Sequence, residues 1–137
     1  MQMLIRTALV FVTCILTIAS LASAQFATGT QLQVPGDPAV YYVINGYATH
    51  VPSPTVYQCL NLAGHKAVSI TRAQLNSMPK TAFLIQGGDG RVYRVDGDRK
   101  RHVPNMQVFK RLGFNNAEII HLNPAMINCI PDGPALR

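Results

Sequence analysis

The feature that most constrains this chain is an internal repeat. Residues 36–85 align with residues 88–137 at a constant offset of 52 and without a gap. Fourteen of the fifty aligned pairs are identical, where chance gives about three. Most of the identical pairs are apolar or turn residues, and they include the pair His50/His102. We therefore predict two copies of one small folding unit, in which duplication has preserved a packing scheme and a chain path.

Each copy begins with the pattern of a β-hairpin. In the first copy an apolar run over 40–44 meets Asn45-Gly46, and in the second a run over 92–95 meets Asp96-Gly97. Both dipeptides favour a type I′ turn, because its two loop residues need a positive φ. The dipeptides lie one position apart in the alignment, so we expect the two hairpins to differ in register or in loop length.

A short helix follows each hairpin. Ser53-Pro54 supplies an N-cap and a proline at the first helical position, and Asn105 is the matching cap in the second copy. Gly113 suits a left-handed helix end, and Gly64 is expected to act in the same way in the first copy. The remaining predicted elements are a short strand over 67–70 or 119–122 and a last helical turn that begins at Thr71 or Asn123.

These elements predict the α+β fold class. Two tandem repeats of about 50 residues, each a β-hairpin followed by a short helix, a short strand and a helical turn, pack as one small domain, because one such unit buries too little core alone. The predicted organisation is a signal peptide over 1–24, a flexible polar lead-in over 25–35, repeat 1 over 36–85 and repeat 2 over 88–137.

The first 24 residues have the pattern of a secretory signal. Arg6 is their only charged residue, and the apolar run after it ends in Ala22-Ser23-Ala24, a small-x-small cleavage signature. The rival interpretation is an uncleaved anchor, since about 20 apolar residues suffice to cross a bilayer. Cleavage leaves a chain with net charge +5. We predict a secreted, extracellular protein with no stable membrane insertion after cleavage.

Two cysteines remain after cleavage, Cys59 and Cys129. Because export leads to an oxidising compartment, we predict a disulfide between them. It closes a loop of about 70 residues and is worth about 4 kcal/mol on the chain-entropy model. Two separately buried thiols are the alternative.

The second hairpin carries a basic cluster. Strand alternation places Arg94, Arg99 and Arg101 on one face, with Lys100 between the last two along the strand. Such a stripe suits a phosphate- or carboxylate-bearing extracellular polymer, and nucleic acid is not expected as a partner of an exported protein. The alternative is a solvated outer face.

The first copy has tyrosines where the second has arginines. Tyr42 aligns with Arg94 and Tyr47 with Arg99. Exposed tyrosines stack on sugar rings, because they present apolar area and a polar tip. The alternative is that this face packs against the other copy or against the segment 25–35. The two tyrosines and the basic cluster are the predicted ligand-binding residues.

No catalytic or metal-binding pattern is present in the sequence. There is no nucleophile motif, Glu118 is the only glutamate, and the histidines lack zinc spacing. We interpret His50 and His102 as half-buried imidazoles that pair with Tyr41 and Tyr93 across their hairpins. The prediction is a protein that is not an enzyme and has no cofactor or metal.

The second copy also resembles a short tandem repeat of exported bacterial cell-surface and secreted proteins. The resemblance is carried by the segments Val92-Tyr93-Arg94-Val95-Asp96-Gly97, Lys100-Arg101-His102-Val103-Pro104, Val108-Phe109, Leu112-Gly113-Phe114 and Ile130-Pro131-Asp132-Gly133-Pro134. The first copy departs from this pattern at the basic strand, at Leu-Gly-Phe and at the glycine tail. The resemblance implies an accessory module of the cell surface or secretome, and it transfers no ligand or catalytic residue.

These observations lead to one functional expectation with two alternatives. We expect a secreted, non-catalytic module that binds an extracellular polymer, either a glycan or an anionic wall or matrix component. A structural protein of an extracellular matrix is the first alternative. A cationic host-defence protein, suggested by the net charge and the predicted disulfide, is the second.

Overall fold

The structure is a computed structural model that describes residues 25–137, so the predicted signal peptide lies outside the described residues. Two β-sheets and four short α-helices make up the described part. The α+β fold class predicted from the sequence is therefore confirmed. No helix in residues 25–137 is both long and apolar enough to cross a membrane.

The first sheet, sheet A, has five strands in the order β4-β1-β2-β3-β5. Strand β2 runs antiparallel to β1 and β3, and β4 and β5 join the two edges in parallel. The elements of this half are β1 (Gln31–Gln33), β2 (Val40–Ile44), β3 (Tyr47–His50), α1 (Pro54–Cys59), a 3-10 turn (Leu62–Gly64), β4 (Val68–Ser69), α2 (Arg72–Ser77) and β5 (Lys80–Thr81).

The second sheet, sheet B, repeats this topology in the order β8-β7-β6-β9. A parallel bridge between Lys100 and Asp132 takes the place that β5 has in sheet A. The elements of this half are β6 (Leu84–Gln86), β7 (Val92–Asp96), β8 (Arg99–His102), α3 (Met106–Arg111), a 3-10 turn (Asn116–Glu118), β9 (Ile119–His121) and α4 (Pro124–Cys129).

Each structural unit starts one strand earlier than the sequence repeat. Strand β1 lies within residues 25–35, which the sequence analysis assigned to a flexible lead-in, yet Leu32 is 0 % exposed and β1 pairs with both β2 and β4. Its counterpart β6 contains Leu84 and Ile85, which the alignment placed at the end of repeat 1. The loop after β1 (34–39) is one residue longer than the loop after β6, and this insertion interrupts the constant offset.

The two hairpins share one register and differ in turn type. Both Asn45 and Gly46 have a positive φ, 47° and 83°, as a type I′ turn requires. The second loop is Gly97-Asp98, and only Gly97 has a positive φ, which is the pattern of a type II′ turn. The prediction of an Asp96-Gly97 turn was therefore wrong. Asp96 is the last residue of β7, and the expected difference in register is absent.

The helix caps follow the sequence, with one exception. The side chains of Ser53 and Asn105 accept hydrogen bonds from the backbone N–H three residues later, which confirms both predicted N-caps. Gly113 ends α3 in the left-handed conformation, with φ 73°. In the first copy the residue in the left-handed conformation after α1 is Asn61, with φ 55°, and not Gly64. Asn61 occupies the position equivalent to Gly113, and asparagine tolerates the left-handed region.

The largest core cluster lies between the two halves. It combines residues from the α1 side of sheet A, such as Ile44 and Val56, with residues from the α4 side of sheet B, such as Val95 and Ile130. Smaller clusters fill the space between sheet A and α2 and between sheet B and α3. The layers therefore run α2, sheet A, α1 with α4, sheet B and α3, a head-to-tail stack in which non-equivalent faces meet.

A disulfide joins the two halves across this shared core. Cys59 at the end of α1 and Cys129 at the end of α4 form the bond, with a Cα–Cα distance of 5.5 Å. These are the two cysteines that the sequence singled out. In the alignment Cys59 corresponds to Arg111 and Cys129 to Ser77, so the disulfide is a feature of the stacked pair and of neither copy alone.

Candidate ligand-binding grooves

The arginines of the basic cluster share one face of sheet B, together with an acidic residue. Arg94 pairs with Arg101 across the hairpin, and Asp96 lies on the same face. The Nε atom of Arg94 is 2.7 Å from Asp96 Oδ1, and Arg101 Nη1 is 3.3 Å from Asp96 Oδ2. The predicted common face is present, but one carboxylate is shared between two of its guanidinium groups.

The same arginines also hold the C-terminal segment. Arg99 Nη1 donates a hydrogen bond to the carbonyl of Asp132, and Arg101 Nε donates one to the carbonyl of Pro134, each at 2.8 Å. The backbone of this segment bonds to β8 as well, for example from Leu136 N to the carbonyl of His102 at 2.9 Å. Arg99 and Arg101 thus each use one donor within the molecule, while Arg99 is exposed and the side chains of Arg94 and Arg101 are 39 % and 33 % exposed.

Lys100 points to the opposite face and is only 5 % exposed. Its Nζ atom donates to the carbonyl of Ile130, lies 3.1 Å from Asp132 Oδ1 and stands 5.7 Å from the centre of the Tyr93 ring. The ammonium group therefore stabilises the C-terminal end of α4. It is not accessible to an external polymer, in contrast to the prediction from sequence.

The predicted stacking tyrosines serve the core. Tyr42 and Tyr47 pack against the cluster between the two halves, and burial raises the pKa of the Tyr42 hydroxyl. Of the two packing alternatives that the sequence left open, the other copy and the segment 25–35, the structure shows packing against the other copy. Neither tyrosine lines a groove.

The structure instead shows two surface grooves at equivalent places in the two copies. The first groove encloses about 450 Å³ and the second about 610 Å³. Every one of the ten residues that line the first groove has its aligned partner, at the offset of 52, in the lining of the second. The ten pairs are Asp37/Asp89, Pro38/Gly90, Ala39/Arg91, Val40/Val92, His50/His102, Val51/Val103, Pro52/Pro104, Ser53/Asn105, Pro54/Met106 and Tyr57/Phe109.

Each groove is built where the hairpin leads into its first helix. An Asx turn shapes the loop before the hairpin, because Asp37 Oδ1 accepts a hydrogen bond from Ala39 N at 2.9 Å and Asp89 Oδ1 accepts one from Arg91 N at 3.0 Å. The opposite side is the Val-Pro pair after the hairpin and the first turn of the helix, which contributes Tyr57 or Phe109. The same local hydrogen bonds therefore produce the same concavity twice.

The two repeated histidines lie in the grooves. The rings of His50 and Tyr41 are 5.4 Å apart between centroids, and those of His102 and Tyr93 are 5.5 Å apart. This confirms the predicted pairing across each hairpin. The predicted half-burial holds for His102, whereas His50 is exposed. Both imidazoles are therefore also available to a ligand in the groove.

The grooves differ in their charged groups. The Asp37 carboxylate is bound by Arg72 from α2 at 2.5 Å, and the backbone N–H of Ala39 together with this guanidinium lowers the pKa of the Asp37 carboxyl. Asp89 has only a distant contact, 3.6 Å to the Nε atom of Arg91, a residue that itself lines the second groove. The second groove also extends further, to Gln86, Asn116, Ile119 and His121.

The lining residues combine an aromatic ring, aliphatic side chains and a polar rim of carboxylate, imidazole and amide or hydroxyl groups. Such a mixture suits non-covalent binding of a ligand with both apolar and hydroxyl-rich surface. Within residues 25–137 no group of three or more His, Cys, Asp or Glu side chains is placed to hold a metal ion.

Sequence reasoning missed the grooves, although the alignment contained a signal for them. Five of the ten groove pairs are identical, compared with nine of the forty pairs outside the grooves. The identical groove pairs include the aspartate of the Asx turn and the histidine. Mapping the identical polar pairs onto the ends of the predicted hairpin would have drawn attention to this region.

No protein-family model and no curated protein sequence matches the chain. Two solved structures align with it weakly. The structure of the periplasmic assembly from the ESX-5 inner membrane complex aligns with 11 % identity and a TM-score of 0.33, over 84 % of this chain and 42 % of that one. The structure of an intact ESX-5 inner membrane complex aligns with 11 % identity and a TM-score of 0.33, over 84 % of this chain and 36 % of that one. The chain spans less than half the length of either, and neither likeness bears on the function proposed below.

Proposed function

We propose that the protein is a secreted, non-catalytic module that binds an extracellular glycan chain through its two grooves. The observation that carries this proposal is the recurrence of the groove, with all ten lining positions of the first groove found again in the second. A duplicated fold needs an equivalent core in both copies, but it does not need an equivalent surface concavity with the same aspartate and histidine at its rim. The Asx turn and the Tyr–His contact account for part of this retention, and the support for a binding role is that the imidazole and the carboxylate also remain at least partly exposed at both rims.

The groove chemistry suits a sugar. A pyranose ring has apolar C–H faces, which pack on aromatic and aliphatic side chains, and hydroxyl groups, which bond to carboxylate, imidazole and amide groups. The first groove offers the partly exposed ring of Tyr57 with His50 and Asp37. The second offers the exposed side chain of Met106 with His102 and Asp89, because the aligned Phe109 is only 5 % exposed. A polymer presents the same unit repeatedly, so two similar grooves in one molecule can bind one chain and gain avidity.

Two further observations support an extracellular location. The sequence predicts a signal peptide over 1–24, and a disulfide joins Cys59 to Cys129 across the shared core. Disulfides persist in oxidising compartments and are rare in reducing ones. An exported module would meet wall or matrix polysaccharides directly.

The proposal is tested by retention on insoluble polysaccharides, both neutral and acidic, at physiological salt. The variant His50→Ala/His102→Ala removes one rim donor from each groove, and we expect it to lose most of the retention, with each single variant intermediate. His65→Ala is the matched control, since His65 is exposed and lines neither groove. Thermal unfolding of all variants shows that they are folded.

Three results would contradict the proposal. The first is the absence of retention of the wild-type protein on every polysaccharide of the panel. The second is an equal loss of retention in the His65→Ala control. A second groove variant, Pro54→Asp, places a charge at an exposed rim position and leaves the Tyr–His contact intact. Unchanged retention in this variant and in the histidine variants would show that the grooves are not the site.

A further inference from the structure

One substitution between the copies indicates what the second groove selects. Ala39 in the first groove corresponds to Arg91 in the second. The backbone N–H of each residue donates to the aspartate of its Asx turn, at 2.9 Å and 3.0 Å. Because the local backbone is equivalent, the exchange of alanine for arginine places a guanidinium group at a groove edge that carries only a methyl group in the first copy.

The guanidinium group of Arg91 has unused donors. Its side chain is 66 % exposed, and its Nε atom is 3.6 Å from Asp89, too far for a hydrogen bond. Within residues 25–137 its terminal nitrogens have no hydrogen-bond acceptor, whereas Arg72 is bound to Asp37 and the arginines of the β7–β8 face are bound to Asp96 and to carbonyls of the C-terminal segment. Arg91 alone among these arginines lines a groove.

The surroundings of Arg91 are rich in further donors. His121 replaces the aligned Ser69, Asn116 replaces Gly64, and the amide of Asn105 stands where Ser53 stands in the first copy. Asp89 is the only carboxylate among the lining residues, and its Oδ1 atom already accepts the backbone N–H of Arg91. The second groove therefore presents more open donors than the first and has the larger volume, about 610 Å³ against about 450 Å³.

We propose that the second groove selects a sugar that carries a carboxylate, with Arg91 as the specificity residue, so that the preferred ligand is a polyuronate chain. This inference rests on the proposed glycan-binding function. The planar fork of a guanidinium group matches the two oxygens of a carboxylate and donates two parallel hydrogen bonds to it. A lysine or a helix end at the same place would attract charge without this geometric match.

The experiment compares polygalacturonate with its fully methyl-esterified form, which has the same backbone without the charge. We expect the wild-type protein to bind the acidic form about tenfold more tightly at physiological salt, the effect of one good charge-assisted hydrogen-bond pair. Arg91→Ala removes this preference, because it weakens binding of the acidic form more than binding of the esterified form. Arg91→Lys retains part of it, and Ala39→Arg in the first groove strengthens binding of the acidic form.

Arg111→Ala is the matched control. Arg111 is an exposed residue at the end of α3 outside both grooves, and its removal changes the net charge by the same amount. An equal loss in Arg111→Ala and Arg91→Ala overturns the inference, because it shows general charge attraction. Equal binding of dextran sulfate and polygalacturonate overturns it for the same reason.

The two proposals fail in different ways. If neutral glycans and the esterified chain bind through the grooves but the acidic chain is not preferred, the carboxylate inference is wrong and the glycan-binding function stands. If the wild-type protein binds no polysaccharide at all, the proposed function is wrong and the inference falls with it.

Discussion

Two aligned faces of the molecule have opposite chemistry, and the difference explains the charge of the second copy. On sheet A the face formed by β2 and β3 is largely apolar and packs into the core between the halves. On sheet B the aligned face carries the arginines and points away from that core. The four aligned pairs are Tyr42/Arg94, Ile44/Asp96, Tyr47/Arg99 and Thr49/Arg101.

The head-to-tail order of the layers accounts for this contrast. In the first copy this face packs against the second copy. Within residues 25–137 the aligned face of the second copy has no third copy to pack against. Repeat proteins commonly finish a stack with a polar outer face, because an uncovered apolar face would associate with other molecules. The arginines of the basic cluster therefore form the polar outer face at the end of the stack. They contact Asp96 and the C-terminal segment.

Both copies have a lysine ammonium group at the end of their last helix, although the two lysines stand at different aligned positions. Lys80 on β5 donates to the carbonyl of Met78 at 2.8 Å, and Lys100 on β8 donates to the carbonyl of Ile130, the residue aligned with Met78. Lys80 aligns with Asp132, so the lysines come from opposite strands of the pair. Both copies place a cation at the end of the last helix, where it is electrostatically favoured.

The largest expected effect comes from moving the charge of one face onto the other. Ile44→Asp introduces into the first copy the residue that the second copy has there. Because Ile44 is only 6 % exposed and lies in the shared core, we expect a loss of about 4–5 kcal/mol or failure to fold. The reciprocal Asp96→Ile, on the outward face, should change the free energy of unfolding by less than about 1 kcal/mol. Urea unfolding measures both, and similar losses would contradict the assignment of the faces.

A smaller effect is expected when the outward face is made apolar. The variant Arg94→Tyr/Asp96→Ile/Arg99→Tyr gives the second copy the face of the first. We expect a folded protein that self-associates with rising concentration, as uncovered apolar patches do. Light scattering after size-exclusion chromatography measures this, with Lys110→Tyr/Arg111→Tyr on α3 as the control for added tyrosines. A triple variant that stays monomeric at all concentrations would show that the charges do not act as a cap.

The smallest expected effect concerns the aspartate of the first groove. The pKa of Asp37 is lowered in the folded protein by the Ala39 N–H and by Arg72. Its contribution to stability is therefore present above the unfolded value of about 3.8 and is lost as the pH falls through the lower folded value. Asp37→Asn should lose this part of the acid dependence, which thermal unfolding between about pH 2 and pH 6 detects. An unchanged pH profile would contradict the lowered pKa of Asp37 and hence the contacts with the Ala39 N–H and Arg72.

The parts of the fold that local signals specify were predictable. Turn dipeptides marked the first hairpin, and Ser53 and Asn105 marked the starts of α1 and α3. Strand β1 was missed because Gln31-Leu32-Gln33 is a polar sequence. Its place in the fold depends on tertiary contacts, such as the hydrogen bond from Gln31 Nε2 to the carbonyl of Leu62 at 2.8 Å.

The candidate site was harder to predict for the same reason. Alternation correctly placed Arg94, Arg99 and Arg101 on one face, but a sequence does not show which face of each copy meets the other. The grooves depend on how a loop, two strand ends and a helix start come together, and none of these segments has an unusual composition. The signal in the alignment was the identity of five groove pairs, among them Asp37/Asp89 and His50/His102.

The strand that opens each structural unit has a consequence for how such a protein can arise and be divided. Strand β6, which precedes the aligned second repeat, is an interior strand of sheet B. A fragment that starts at residue 88 would therefore keep every aligned residue and lose an inner strand of its own sheet. The one-residue insertion after β1 hides the correspondence of β1 and β6 from a gapless alignment, so a division of the molecule that keeps each sheet whole falls before β6 and not at the aligned start of the second repeat.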